Sequence, residues 1–262
     1  MLVILMKKKN SKVKKGIFLG IGIILIFLVV GFSYLVLQDL EQENLLKKEI
    51  VNVSNKDFLT DSYDIEVVTT GDYAYIEEAV KSYYKELADN IKLIDNYLNN
   101  QELFQILSAE NLQADGPNFD KSYKILNDAK TNTSMALENI INLCKEETIK
   151  NLIDEEKIDS YSYQLYLELM YTEDDLEDMA ATGQEMQELS DNLITFLNKV
   201  EAMLNFLKTN NGDWYIENSQ LYFRNTNLVN QYNNLYDDLN KFVQENFATN
   251  NKSEVQQTST NI

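Results

Sequence analysis

A run of 21 residues without a charge, Ile17 to Leu37, constrains this chain more than any other stretch of its 262 residues. As a helix rising about 1.5 Å per residue, it spans roughly 30 Å, the thickness of a bilayer's hydrocarbon core. A buried core helix is the competing reading, but a stretch this long and uncharged, beside a lysine cluster, argues against it. Lys7, Lys8, Lys9, Lys12, Lys14 and Lys15 precede the run, and Asp39, Glu41 and Glu43 follow it. The positive-inside rule therefore makes residues 1–16 a cytoplasmic basic segment, 17–37 a single transmembrane helix, and everything beyond it extracytoplasmic. The expected location is the cell membrane, with the N-terminus inside.

A cleaved signal peptide is the alternative. Gly31 and Ser33 give a small-x-small pattern, with cleavage after Ser33, and Ile17 to Val30 would serve as its apolar region. The apolar run, however, continues through Tyr34-Leu35-Val36-Leu37, which favours a retained signal-anchor. Met6-Lys7-Lys8-Lys9 resembles a natural start, so Met1 and Met6 both stand as initiators.

Charge and composition exclude several functions for the exported part. The chain has 23 basic and 42 acidic residues; setting aside the six N-terminal lysines leaves 17 against 42, or −25. Such a domain repels nucleic acid and anionic lipid. Histidine is absent, and cysteine, proline and arginine occur once each, as Cys144, Pro117 and Arg224. These counts exclude an internal disulfide, Cys/His zinc sites and any nucleophile that depends on a histidine base. One proline in the whole chain suits long helices.

The pattern predicts a mainly α fold: the transmembrane helix, then an elongated antiparallel helical bundle with one small β-hairpin. Residues 38–71 read as a charged connector, with extension of the membrane helix through Leu40 to Ile50 as the alternative, 72–248 as the bundle, and 249–262 as a disordered tail. Ile76, Val80, Tyr83, Leu87, Ile91, Ile94 and Leu98 form one apolar stripe between Gly71-Asp72 and Asn99-Asn100. A short turn over Glu102 to Ser108 and a loop over Ala109 to Asn118 follow. Asp115-Gly116-Pro117 marks the next start, with proline in a first helical turn. That helix runs to Cys144, with a kink or fray expected at Lys130 to Thr133. Asp159 to Tyr171, rich in tyrosine, reads as a short and deeply buried helix.

The longest helix is expected from Glu173 to Lys208 with heptad-like, coiled-coil spacing, Thr172 and Asp175 forming a capping box, and Gly212 past its end. Trp214 to Phe223 alternates aromatic and β-branched residues on both sides of a polar turn, Asn218-Ser219-Gln220, which predicts the hairpin. It should dock its Trp214/Ile216 and Leu221/Phe223 face on the helices, with Trp214 largely buried against Leu204, Leu207 and the start of a last helix, Thr226 to Phe247.

Candidate chemistry is sparse. The acidic run Glu173-Asp174-Asp175-Leu176-Glu177-Asp178 invites a divalent cation, but it lacks the alternating ligands and glycine of a calcium loop. Acids there favour the helix N-terminus, and Asp154-Glu155-Glu156 has the same reading. Cys144 falls on an apolar stripe and reads as a core residue. Most of the 16 tyrosines fall at stripe positions, and Arg224 is expected to form an ordinary ion pair. The sequence therefore nominates no catalytic, cofactor-binding or metal residue, and no cofactor.

Thr69-Thr-Gly-Asp-Tyr73, the stretch Ser108 to Phe119 (S-A-E-N…D-G-P-N-F) and Asn205 to Asn218 (N-F-L-K-T-N-N-G-D-W-Y-I-E-N), together with the lysine-rich start, carry a resemblance. The chain is similar over most of residues 7–245 to a group of uncharacterised, single-pass, membrane-anchored helical proteins of low-GC Gram-positive bacteria. The resemblance implies the same topology and no site residues. The expected function is non-enzymatic: a membrane-anchored extracytoplasmic protein that binds or positions an envelope partner. The alternatives are a ligand-sensing ectodomain acting through a partner protein, and an envelope carbohydrate hydrolase using paired carboxylates.

Overall fold

The structure is a computed structural model and describes residues 41–247. The expected membrane helix, the start and cleavage sites and the C-terminal tail lie outside the described residues. Among the described residues, no helix is long and apolar enough to cross a membrane. The fold is mainly helical with one small hairpin. In chain order it comprises α1 (Glu41–Ser54), α2 (Asp72–Leu98), α3 (Gln101–Phe104), α4 (Ala109–Asp115), α5 (Asp120–Leu143), α6 (Glu146–Lys150), α7 (Ser160–Met170), α8 (Glu173–Thr209), β1 (Trp214–Glu217), β2 (Gln220–Phe223) and α9 (Thr226–Phe247). Two compact units result: one of residues 41–96 and 133–189, the other of 97–132 and 190–247.

In the first unit, α1 falls where helical extension through Leu40 to Ile50 is the alternative to a connector, and its burial is what the sequence does not show. The segment read as a connector contains a packed helix, because Leu46, Ile50 and Val53 recur at spacings of four and three and are all buried. α2 buries its stripe as expected, and Asn139 Nδ2 donates to Asn90 Oδ1 (3.1 Å), with Tyr83 Oη donating to the Leu143 carbonyl (3.4 Å). These pairings run α2 and α5 antiparallel.

Between α1 and α2 the chain returns as an extended strap over residues 61–70. Lys92 Nζ donates to the Asp61 carbonyl (2.6 Å), Lys81 Nζ to the Glu66 carbonyl (2.7 Å), and the Thr69 amide to Glu77 Oε2 (2.9 Å). Nine extended steps cover about 30 Å, the length of about twenty helical residues, so the strap can follow α2 back to its start.

In the second unit, α5 and α8 run antiparallel: Tyr123 Oη donates to Asn205 Oδ1 (2.6 Å), and Lys130 pairs with Glu201. Leu126, Ala129, Met203, Leu204, Leu207 and Tyr232 centre its core. The hairpin forms over the expected residues, with Trp214 opposite Phe223 and Ile216 opposite Leu221. Asn218 and Ser219 both take positive φ (50° and 56°), the signature of a type I′ turn whose twist suits two-residue hairpins.

Four local expectations change. Ala109 to Asp115 is a helix, because Ser108 caps it by accepting from the Asn111 amide (3.2 Å) and Leu112 is fully buried. Pro117 lies in the turn before α5, outside its first helical turn. α5 continues through Lys130 to Thr133, where Lys130 pairs across to Glu201, Asn132 Nδ2 donates to Tyr97 Oη (2.7 Å), and Thr133 is buried. Tertiary contacts there outweigh weak helix propensity. α7 is buried on one side only: Tyr166 is enclosed, whereas Tyr161 is 58% exposed.

Candidate functional site

At the start of α8, the Thr172 amide and Oγ1 both donate to Asp175 Oδ2 (2.7 Å each), and the Asp175 amide returns a bond to Thr172 Oγ1 (3.4 Å). This is the expected reciprocal cap, and it commits the Asp175 carboxylate to the helix terminus. Asp154 accepts from the Glu156 amide (3.1 Å) and pairs with Lys157 (3.3 Å). Among the described residues, no three of Cys, Asp and Glu are grouped to hold a metal ion.

Cys144, expected in the core, is only half-buried and lines an open hollow of about 490 Å3 between the end of α5 and the first half of α8. Ile141, Leu176, Met179, Ala180 and Gly183 complete its apolar wall, and Lys145, Glu146, Gln184 and Gln187 surround it. Burial pushes the Cys144 thiol up to about 11. At neutral pH about one thiol in ten thousand is then ionised, too few for a nucleophile. A Cβ added at Gly183 would meet Cys144 Cβ at an ordinary 3.7 Å. Local packing therefore does not require this mid-helix glycine, which costs about 1 kcal/mol relative to alanine.

The hairpin presents two different faces. Trp214 is half-buried, less than expected; its ring stacks on Phe119 (6.1 Å between centroids) and packs on the second unit's core. Its Nε1 donates to the Leu207 carbonyl (2.8 Å). A Cβ at Gly116 would lie 3.0 Å from Trp214 Cη2 and 2.5 Å from the Leu112 carbonyl oxygen, so this turn requires glycine. α9 meets β2, with Phe223 and Tyr232 centroids 5.3 Å apart. On the other face Tyr215 stacks on the buried Tyr222 (5.4 Å), and the Arg224 guanidinium lies 5.3 Å above Tyr215. Arg224 Nε also donates to the Gly212 carbonyl (3.1 Å). The expected ion pair is replaced, among the described residues, by a cation–π contact and this bond.

Two groups of charges in the first unit escaped the sequence reading. The larger joins the strap to α1 and α2. Glu77 is fully buried and accepts from the Val68 amide (3.1 Å), the Thr69 amide (2.9 Å) and Thr69 Oγ1 (2.7 Å), and it pairs with Lys81 (2.6 Å). Lys81 also pairs with Glu49 (3.0 Å). Burial alone would raise the Glu77 carboxyl, but Lys81, Thr69 and the strap amides outweigh it and hold it below the ordinary range. Burial likewise opposes the Lys81 charge, and Glu77 and Glu49 overcome it, leaving its pKa above the usual value. The available signal was the i, i+4 spacing of Glu77 and Lys81, each one residue beyond a stripe position, Ile76 and Val80.

The second group gathers Gln42 and Glu43 of α1 with the starts of α2 and α7. Tyr161 Oη donates to Glu43 Oε2 (2.9 Å), the Asp159 amide to Asp72 Oδ2 (2.9 Å), and the Thr70 amide to Gln42 Oε1 (3.0 Å). At Glu43, burial would raise the carboxyl, but Lys47 and Tyr161 prevail and lower it; at Asp159, the Ser162 amide lowers it. A glycosidase general acid needs a raised carboxyl, and both shifts run the other way.

No family model, curated protein or solved structure matches the chain.

Proposed function

We propose that the chain is a non-enzymatic, single-pass membrane protein whose extracytoplasmic helical bundle binds or positions an envelope protein; the resemblance to membrane-anchored proteins of low-GC Gram-positive bacteria supports its topology. The observation that carries this reading is the uncharged run 17–37 behind six lysines. The packing is consistent with a scaffold. The carboxylates of Glu77, Asp175 and Glu43 are occupied by hydrogen bonds, and the one thiol is held protonated. Photo-crosslinking in intact membranes tests it. The expected product is a discrete adduct with an envelope or membrane protein, recovered with the membrane fraction. Recovery of the chain in the medium with Tyr34 at its N-terminus, or adducts with cytoplasmic proteins alone, would contradict it.

A second reading, a ligand-sensing ectodomain, is favoured by the hollow between α5 and α8, whose volume of about 490 Å3 falls in the range of small-molecule sites. Gly183→Leu projects a side chain into that space. If the protein senses a ligand there, this variant should lose the response while keeping its fold and membrane attachment.

A further inference from the structure

We infer that the end of the first unit where α2 and α7 begin, beside the first described residues of α1, rests on the lipid interface of the bilayer that carries the chain. The inference depends on the membrane-anchored reading of residues 17–37. Three observations support it.

The first is the joining of the starts of α2 and α7 to the first described residues of α1. Gln42, Glu43, Thr70, Asp72, Asp159 and Tyr161 are linked by the hydrogen bonds given above; Thr70 and Asp72 lie at the start of α2, Asp159 and Tyr161 at the start of α7. The second is what this end exposes. Among the described residues, eight large apolar or tyrosine side chains are exposed, and three of them are here: Val68 (46%), Tyr75 (46%) and Tyr161 (58%). Tyr75 is in the first turn of α2, Tyr161 in the first turn of α7, and Val68 on the strap two residues before Thr70. A tyrosine with an apolar ring and a polar tip suits a membrane–water interface, where one end is dry and the other wet.

The third is the length of the tether. Four residue steps separate Leu37, the last residue of the expected span, from Glu41, the first described residue of α1. Fully extended, they reach about 14 Å. The headgroup layer on one side of a bilayer takes up about 5–8 Å of that. The first described residues of α1 are therefore held in or beside the headgroups, and the neighbouring starts of α2 and α7 with them. No longer linker is available to carry this end away. The carboxylates of Glu43, Asp72 and Asp159 at the same end disfavour anionic headgroups, so the surface suits a zwitterionic interface.

The test uses the full chain, reconstituted in phosphatidylcholine vesicles, in a Cys144→Ala background. Single cysteines at Val68→Cys, Tyr161→Cys and Tyr215→Cys carry an environment-sensitive fluorophore, and the vesicles carry a lipid-bound quencher at headgroup depth. Phe27→Cys, labelled in the same way, reports the span with a quencher on the acyl chain. Quenching at 68 and 161 should exceed that at 215 several-fold. If 27 is quenched but 68 and 161 are not, this inference fails and the anchored reading stands. If 27 is also unquenched, the anchored reading itself fails. Equal quenching at 68, 161 and 215 would show a domain with no preferred face and would also overturn it. Fluorophore self-quenching between chains at 161, independent of the lipid quencher, would assign this end to a second copy instead.

Discussion

Tyr232→Phe should stabilise the protein. The ring is packed among Phe206 and Phe223, but the hydroxyl is buried without a hydrogen-bond partner. A buried polar group left unpaired costs about 1–3 kcal/mol, and phenylalanine keeps the ring while removing the oxygen. Urea denaturation should show a higher midpoint with an unchanged slope; a lower midpoint would mean that the hydroxyl is satisfied in solution. Trp214→Ala should act in the opposite direction. It removes the stack on Phe119 and the bond to the Leu207 carbonyl. The expected loss is about 3 kcal/mol, the lower end of the range for aromatic truncation, because the ring is half-buried. Phe119 itself sits at φ 59°, an uncommon conformation for a bulky residue, held by a fully buried ring. The turn is held locally, with the Phe119 amide donating to the Asp115 carbonyl (2.9 Å) and the Asp115 carboxylate accepting from the Ser122 amide (2.7 Å), while the ring stacks on Trp214.

At the scale of the elements, the strap depends on Glu77. Replacing it with glutamine leaves the buried Lys81 charge with Glu49 as its remaining carboxylate partner beside the Glu66 carbonyl, and breaking a buried pair in this way costs about 3–5 kcal/mol. The strap amides of Val68 and Thr69 would lose an anionic acceptor as well, so their hydrogen exchange should accelerate more than that of α5. Exchange rates unchanged at 68 and 69 would show that the strap is held by something else. The helices with a single apolar stripe, α2 and α9, were legible in the sequence to within a residue, as were the α8 cap and the hairpin with its turn. Their signals are local: period, capping residues and alternation. α1 was not read as packed, since Leu46, Ile50 and Val53 stand among lysines and glutamates, and only the tertiary structure shows that side covered. The unbroken α5 was missed for the converse reason, because contacts to Tyr97 and Glu201 override a weak local preference. Of the candidate sites, the hollow beside Cys144 required two segments about 40 residues apart to meet, which no spacing reveals.

At the scale of the whole molecule, pH acts on stability from both sides. Glu77 has a folded pKa below its unfolded value, so its stabilisation is present above about pH 4.5 and is lost as pH falls through the folded value. Lys81 is shifted upward, so its contribution is complete below about pH 10 and is lost as pH rises through the folded value. Tyr83, Tyr84, Tyr166 and Tyr232 are pushed up chiefly by burial. Above about pH 10 the unfolded chain releases these phenolic protons while the folded one keeps them, so alkali also destabilises. Stability should thus form a plateau between about pH 5 and 10. Ultraviolet titration should show a class of tyrosines that ionises only together with loss of helical circular dichroism; smooth ionisation without unfolding would contradict the burial.

The proposed extracytoplasmic placement of the bundle rests on the six lysines, since moving them across a bilayer is far costlier than leaving them inside. Cys144 is the chain's one thiol, so Cys144→Ala gives a clean background for labelling. On intact protoplasts, a cysteine at Ser253 should react with a membrane-impermeant thiol reagent, and one at Ser11 should react only after lysis. Labelling at Ser11 alone, before lysis, would invert the topology and contradict the account.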